Sequence, residues 1–429
     1  MASFFIPLTG LQADSTALNT VANDLANMNT TAFKSQTTNF SNLFYQQIGE
    51  SGSGDPIEVG AGTQVSTNST DFSQGSYNTS GMSASDMAID GNGFFVVQDT
   101  NGQTAYTRDG AFSSDTSGNL VTANGSQLMG YPATNGVIDS SAPLTAINVP
   151  LTGQVQLPAA TQNISMTANL DSATAANSTY PATISVYDSL GTSQNVTITY
   201  TATATPGTWT YSAALPASSF TDGISTPITG TMTFDANGNL STVTPNGGAV
   251  ENVGTAAGDV SSIPLAFTDP LVDGASPLNL NWNLLSAAGT PNVSQVAEAS
   301  AVSGTTADGN GAGTCTGFTI GSSGTVTAQY TSGTQVVGQV ALANMTNLQG
   351  LNLGADGEYQ TTLASGTASV SAAGSGGLGG IQDSALEDSN VNISSEFSDL
   401  IIAQRAFEAN AKSVTTFDTV TQDTINMVH

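Results

Sequence analysis

The chain has 429 residues, of which only 8% are charged; 4 Lys or Arg against 32 Asp or Glu leave a net charge of −28. That length supports two or three domains with sizeable cores. The acidic field excludes nucleic-acid binding and attraction to anionic lipid, both of which need clustered Lys or Arg.

Catalytic inventory is equally thin. The single histidine is His429 and the single cysteine is Cys315, so no Ser–His or Cys–His pair and no His/Cys zinc set is expected. No cofactor is expected and the chain is not expected to be an enzyme. Carboxylate pairs leave an acidic glycosidase open on inventory, with weak support from the two tryptophans, Trp209 and Trp282, in separate strand-like segments. One cysteine rules out an intrachain disulfide framework, and Cys315 reads as a small residue in a strand.

The N-terminus lacks a basic segment followed by a continuous apolar run, so no secretory signal peptide is expected. No run of 18 apolar residues occurs, so no membrane insertion is expected. From Phe4 to Met28, Phe4, Leu11, Leu18 and Leu25 recur every seven residues, with Leu8, Val21 and Met28 three or four away. This spacing predicts an amphipathic helix, with Pro7 at or before its first turn.

Residues 50–62 (ESGSGDPIEVGAG) read as an extended connector and residues 374–380 (GSGGLGG) as a flexible joint. The second lacks the Lys of a phosphate-binding loop. Between them, Ile164, Met166, Ala168 and Leu170 alternate with polar residues, as do Val196, Ile198 and Tyr200, and Leu278, Leu280, Trp282 and Leu284. Period two with intervening turn residues predicts half-buried antiparallel strands. Asp115–Leu120 (DTSGNL) and Asp235–Leu240 (DANGNL) read as hairpin loops, with too few carboxylates for calcium. Asn-X-Ser/Thr triplets such as those at Asn68, Asn163 and Asn195 are what chance gives in a chain this rich in those residues.

At the C-terminus Ile393, Leu400, Phe407, Val414, Thr421 and Val428 form a second seven-residue row, flanked by Phe397, Ala411 and Ile425. Ser394 or Ser395, followed by Glu396 and Asp399, suits the helix start. Two terminal amphipathic helices invite pairing with each other or with neighbouring copies. The residues that would carry polymerisation are Leu11, Leu18, Leu25, Met28, Phe397, Leu400, Phe407 and Val414. Arg405 and Lys412, seven apart on one side of the second helix, have Asp14, Asp24 and Glu408 as candidate ion partners.

Several blocks are specific. Residues 23–34, NDLANMNTTAFK, resemble the N-terminal motif of the flagellar rod and hook axial proteins; Asn23, Leu25, Asn27, Phe33 and Lys34 match, while Asp24 and Ala32 replace a usual Asn and Gly. Residues 397–412, FSDLIIAQRAFEANAK, resemble the closing helix of that family through Gln404, Arg405, Asn410 and Lys412. The block 86–97, with Gly93, Phe94 and Phe95, is similar to a shared β segment that continues through Tyr106–Phe112 to Gly130–Tyr131. Residues 340–351 and the LEDSN at 386–390 match as well. About two hundred residues follow the Gly130–Tyr131 block, an insertion that resembles hook rather than rod members.

The resemblance implies an α+β chain: mainly β outer domains, antiparallel and sandwich- or barrel-like, with long N- and C-terminal helices forming an inner helical core. The expected division is 1–30 with 393–429 for the helical core and 31–70 with 356–392 for connectors. An inner β domain would take 71–145 with 270–355, and an outer one 146–269. The implied function is a hook subunit polymerising into a hollow curved tube that passes torque from rod to filament. A distal rod subunit or another acidic β-rich surface protein are the alternatives. Implied partners are further copies of the chain, the distal rod protein, the hook cap, the hook–filament junction proteins and the flagellar type III export apparatus. The implied location is the extracellular hook of the flagellar basal body.

Overall fold

A computed structural model describes residues 4–50, 56–134, 136–286, 288–354 and 357–427. Val428 and His429 of the C-terminal reading, and the tip of the 50–62 connector, lie outside the described residues. The fold is α+β: two terminal helices pack on each other, and strands make up nearly all of the regular structure between them.

Helix α1 spans Phe5–Ala26 and α2 spans Ile393–Met427. At 1.5 Å per residue they run about 33 and 52 Å. Pro7 sits in the first turn of α1, where its missing N–H costs no helical bond. The cap of α2 is Asn392 rather than Ser394 or Ser395: its Oδ1 accepts the Ser394 and Ser395 N–H groups at 3.0 and 3.3 Å. Glu396 occupies the first turn, as expected from the helix dipole.

Strands Gln36–Asn42 and Thr63–Thr70 pair with each other and pack on α1, and the inner body is built on a 14-stranded sheet. Strand Phe94–Gln98 runs through its centre with Phe94 to Val97 all buried, so its alternate side chains enter two different cores. Phe95 packs edge-on against Phe112 at 5.4 Å on one side; Phe94 packs on Phe72 and Tyr359 on the other. A strand buried on both faces reads as a continuous apolar run, which is what FFVV is.

The outer body is two sheets around one core. Strands from Thr179–Tyr187 to Glu251–Asn252 form a six-stranded antiparallel meander in sequence order. A five-stranded sheet faces it, and the alternating residues Ile164–Leu170, Val196–Tyr200 and Leu278–Leu284 all point into the shared core. Tyr200 and Tyr211 meet Trp282 edge-on there. The five-stranded sheet is mixed, because Asn163–Asp171 pairs in parallel with Leu278–Asn283 and Val293–Val296. The meander is inserted between these partners, and the chain returns alongside its own starting strand.

Four expectations change. Leu271, Leu278, Leu280, Trp282, Leu284 and Val293 belong to the outer core, so the outer body reaches about residue 310 instead of ending at 269. Segments within 356–392 are not connectors: Tyr359–Gln360, Ser369–Ala372 and Gly380–Asp383 pair with strands of the inner body. Residues 374–380 form a hydrogen-bonded turn, in which Gly374, Gly376 and Gly377 supply positive φ and the Gly379 N–H reaches the Asn92 carbonyl at 2.7 Å. Of the 50–62 connector, Pro56–Gly60 pairs antiparallel with Tyr45–Glu50 as a hairpin.

The Asp-X-X-Gly loops are built as read. Asp115 Oδ1 accepts the Ser117 and Asn119 N–H groups at 2.7 and 2.8 Å, and Gly118 takes φ 88°. Asp235 and Gly238 repeat this, as do Asp99 with Gly102 and Asp188 with Gly191. Those bonds hold the Asp99, Asp115 and Asp235 carboxyls below the ordinary range. Cys315 is free and buried in strand Gly313–Ile320.

Candidate assembly interface

The helices pair antiparallel through small residues. Gly10, Ala13, Thr20 and Asp24 are the buried positions of α1 beyond Pro7, and Ala403 is the one buried residue among the described residues of α2. A Cβ on Gly10 would lie 2.6 Å from the Asn410 amide nitrogen, so the closest approach depends on that glycine. Asn410 then donates to Asp14 Oδ2 at 2.8 Å across the pair.

The seven-residue rows do not form the centre of this contact. Leu11, Leu18, Leu25, Leu400 and Val414 are half-buried, and Met28, Phe397 and Phe407 are exposed. Phe5, Ile401 and Ile402 are 70%, 57% and 65% exposed, and Val420, Ile425 and Met427 are open as well. Full burial of such a side chain is worth about 1.5–3 kcal/mol. That stabilisation is unrealised in the single chain. Gly10 lies beside Asn410 in the antiparallel pair, so the last turns of α2 extend beyond the start of α1.

The N-terminal motif builds the exit from α1. The Asn27 N–H bonds the Asn23 carbonyl at 3.1 Å, its amide bonds the same carbonyl at 2.9 Å, and its Oδ1 accepts the Thr30 hydroxyl at 3.0 Å. Ala32 then turns at φ 54°, donating its N–H to the Glu387 carbonyl at 2.8 Å. This left-handed position explains why glycine is usual there. The Phe33 carbonyl accepts the Asn390 N–H at 3.3 Å, and Asn390 Oδ1 accepts the Ser35 N–H at 2.8 Å.

Lys34 is buried, and its Nζ donates to Glu387 Oε1 at 2.6 Å and to the Ser73 carbonyl at 2.8 Å. Arg108 reaches Glu387 Oε2 at 3.3 Å, donates to the Gly91 carbonyl at 2.7 Å and lies over the Phe94 ring. Glu387 Oε1 also accepts the Gly75 N–H at 2.9 Å. Burial lowers the proton affinity of both cations, and Glu387 offsets it. One carboxylate thus ties segments near residues 34, 75, 108 and 387 together, joining the two ends of the chain. The sequence places Arg108 and Glu387 inside family-matching blocks but gives neither a role. The available signal was scarcity: with four basic side chains in 429 residues, each needs a reason.

Gly93 turns at φ 126° to let Phe94 and Phe95 enter their strand, and a Cβ there would meet Leu378 at 3.0 Å. Gln404, Arg405 and Lys412 are exposed. Arg405 pairs with Glu408 at 3.3 Å in solvent, a contact worth little. Asp24 is not an ion partner: it is buried, with Oδ2 accepting the Gln36 N–H at 2.8 Å and Oδ1 without a partner.

Models of known families match in four places: the flagellar basal body rod protein over 8–34, the flagellar hook protein FlgE/F/G D1 domain over 88–169, the flagellar basal body protein FlaE D2 domain over 156–310, and the rod FlgEFG C-terminal region over 382–427. The flagellar hook protein FlgE of Escherichia coli is 31% identical over 99% of this chain and 100% of its own length. That of Treponema pallidum is 31% identical over 100% and 99%. The chain belongs to the flagellar hook protein family. A crystal structure of Helicobacter pylori flagellar hook protein FlgE2 aligns at a TM-score of 0.43 with 13% identity, over 72% of this chain and 99% of that one. The D2 match ends at 310, just past Ala307, the last residue packed against the outer core. As a hook family member, the chain is a structural subunit of the flagellum. Among the described residues no group of side chains suits a metal and no helix is long and apolar enough to cross a membrane.

Proposed function

We propose that the chain polymerises through α1 and α2 into the hollow, curved tube of the hook, which passes torque from rod to filament. The observation that carries this reading is α2: a 35-residue helix with Ala403 as its one buried position among the described residues. A helix gains most of its stability from packing an amphipathic face, and here that face is open at Phe397, Ile401, Ile402 and Ile425. Neighbouring copies supply the missing cover, and the β bodies form the outer layers. The division into helical core, inner body and outer body follows the chain, with each part inserted within the one before.

The same reading places the distal rod protein at one end of the tube and the cap or junction proteins at the other. Export would proceed through the flagellar type III path, for which a chain without disulfides is suited. The test is deletion of the gene in its host, followed by electron microscopy of isolated basal bodies. Complete rods without hooks are expected. Rods that stop short would assign a rod role instead, and normal flagella would overturn the reading.

A further inference from the structure

A groove of about 340 Å³ runs between α1, α2 and the strand Gln36–Asn42. Ala17, Val21 and Ile402 give it an apolar lining, and Asp14, Glu396 and Asp399 add three carboxylates. Asp24, buried beside it, contributes further negative charge; burial first, then the charges of Asp24 and Asp399, raises the Glu396 carboxyl. No Lys or Arg lines this groove.

The chain has four basic side chains, and Lys34 and Arg108 are spent on buried Glu387. Arg405 and Lys412 remain, both exposed on α2. At 100° per residue they lie roughly 200° and 180° around the helix from Ala403, which faces the groove. They therefore point away from the carboxylates of the groove, with Arg405 turned toward Glu408 on its own helix, an exposed pair that a neighbour's carboxylates can replace. One molecule thus carries its two exposed cations, Arg405 and Lys412, on one side and an acidic, apolar-lined groove on the other.

We propose that the groove receives α2 of a second copy, with Arg405 and Lys412 of that copy meeting Glu396, Asp399 and Asp14. Two different complementary surfaces on one chain make a heterologous contact, which propagates into a helical polymer when the rotation does not close. The proposal rests on the polymer reading above and specifies which surfaces join. In a chain of net charge −28, this is the contact at which unlike charges meet instead of repelling.

Charge exchange tests it. One full-length variant carries R405E and K412E, and a second carries E396K and D399K. All four positions are exposed or half-buried, and circular dichroism of the free chains checks that both fold. Each variant alone is expected to need at least about tenfold more protein to form tubes, the equivalent of about 1.4 kcal/mol. An equimolar mixture is expected to assemble near the wild-type concentration, because positions 405 and 412 of each variant then find a groove of opposite sign on the other. Folded variants that assemble alone as readily as wild type, or a mixture that fails to recover, would overturn the proposal while leaving the polymer reading intact. Wild-type chain that forms no tubes under any salt condition would refute the polymer reading, and the docking proposal with it.

Discussion

Glu387→Gln removes the counter-charge from two buried cations. Lys34 has a fully buried side chain and Arg108 is 6% exposed, so water cannot replace the lost carboxylate charge. Breaking a buried pair in this way costs about 3–5 kcal/mol, because the orphaned charges stay desolvated. The loss should fall on the inner body and the chain ends. Both tryptophans, Trp209 and Trp282, lie in the outer core, so Trp fluorescence during urea unfolding reports the outer body and serves as an internal control. Amide exchange of Met87–Asp90 and Phe94–Gln98 reports the inner one. Expected is a loss of protection of roughly a hundredfold or more in those strands, with little change in the fluorescence midpoint. Without Glu387 the Lys34 amine is depressed further below its usual value. The unfolded chain then binds the extra proton, so the variant recovers stability as pH rises toward the ordinary lysine range. A protection loss below about tenfold, or an equal shift in the fluorescence transition, would refute the assignment of Glu387 as the fastener of the two chain ends.

Ala32→Gly relieves the left-handed strain at φ 54° and is expected to stabilise the chain by about 0.5–1 kcal/mol, read by denaturant unfolding of the inner body. Burial raises the Asp24 carboxyl against the pull of the Gln36 N–H, so ionised Asp24 costs stability at neutral pH. Asp24→Asn keeps an acceptor for that N–H and should be more stable than wild type at pH 7. The advantage should fade as acid protonates Asp24 in the folded chain and vanish below about pH 3.8, where both states of wild type are protonated. Ile401→Ser with Ile402→Ser should leave the unfolding midpoint of the free chain unchanged, since both are open to solvent, while raising the concentration needed for assembly in sedimentation. Salt or mild acid should promote assembly by screening or neutralising the −28 charge; tube formation that weakens steadily with salt would count against this.

Much of the architecture is legible in the sequence because it repeats with a period. Seven-residue rows marked α1 and α2, and alternation marked the strands around Ile164, Val196 and Trp282. What periodicity hides is the partner. Leu278–Asn283 reads as a strand anywhere, but its pairing with both Ser262–Phe267 and Asn163–Asp171 assigns it to the outer core. The contact face of the helices was illegible for another reason: Gly10, Ala13 and Ala403 carry almost no hydrophobic signal, and their value is the close approach they allow. Glu387 is one of 32 acidic residues, and only the fold distinguishes a buried carboxylate from a solvated one. The 374–380 segment reads as a joint from sequence because the same glycines serve either freedom or a required positive φ.

The central claim, that the terminal helices are completed by neighbouring copies, is tested most directly by amide exchange of Ile393–Met427 in the dilute chain and in assembled tubes. The account predicts fast exchange along α2 in the free chain and strong protection after assembly, with the outer-core strands Asn163–Asp171 and Leu278–Asn283 protected equally in both. Protection of α2 that is already complete in the free chain, or that stays absent in the tubes, would contradict it.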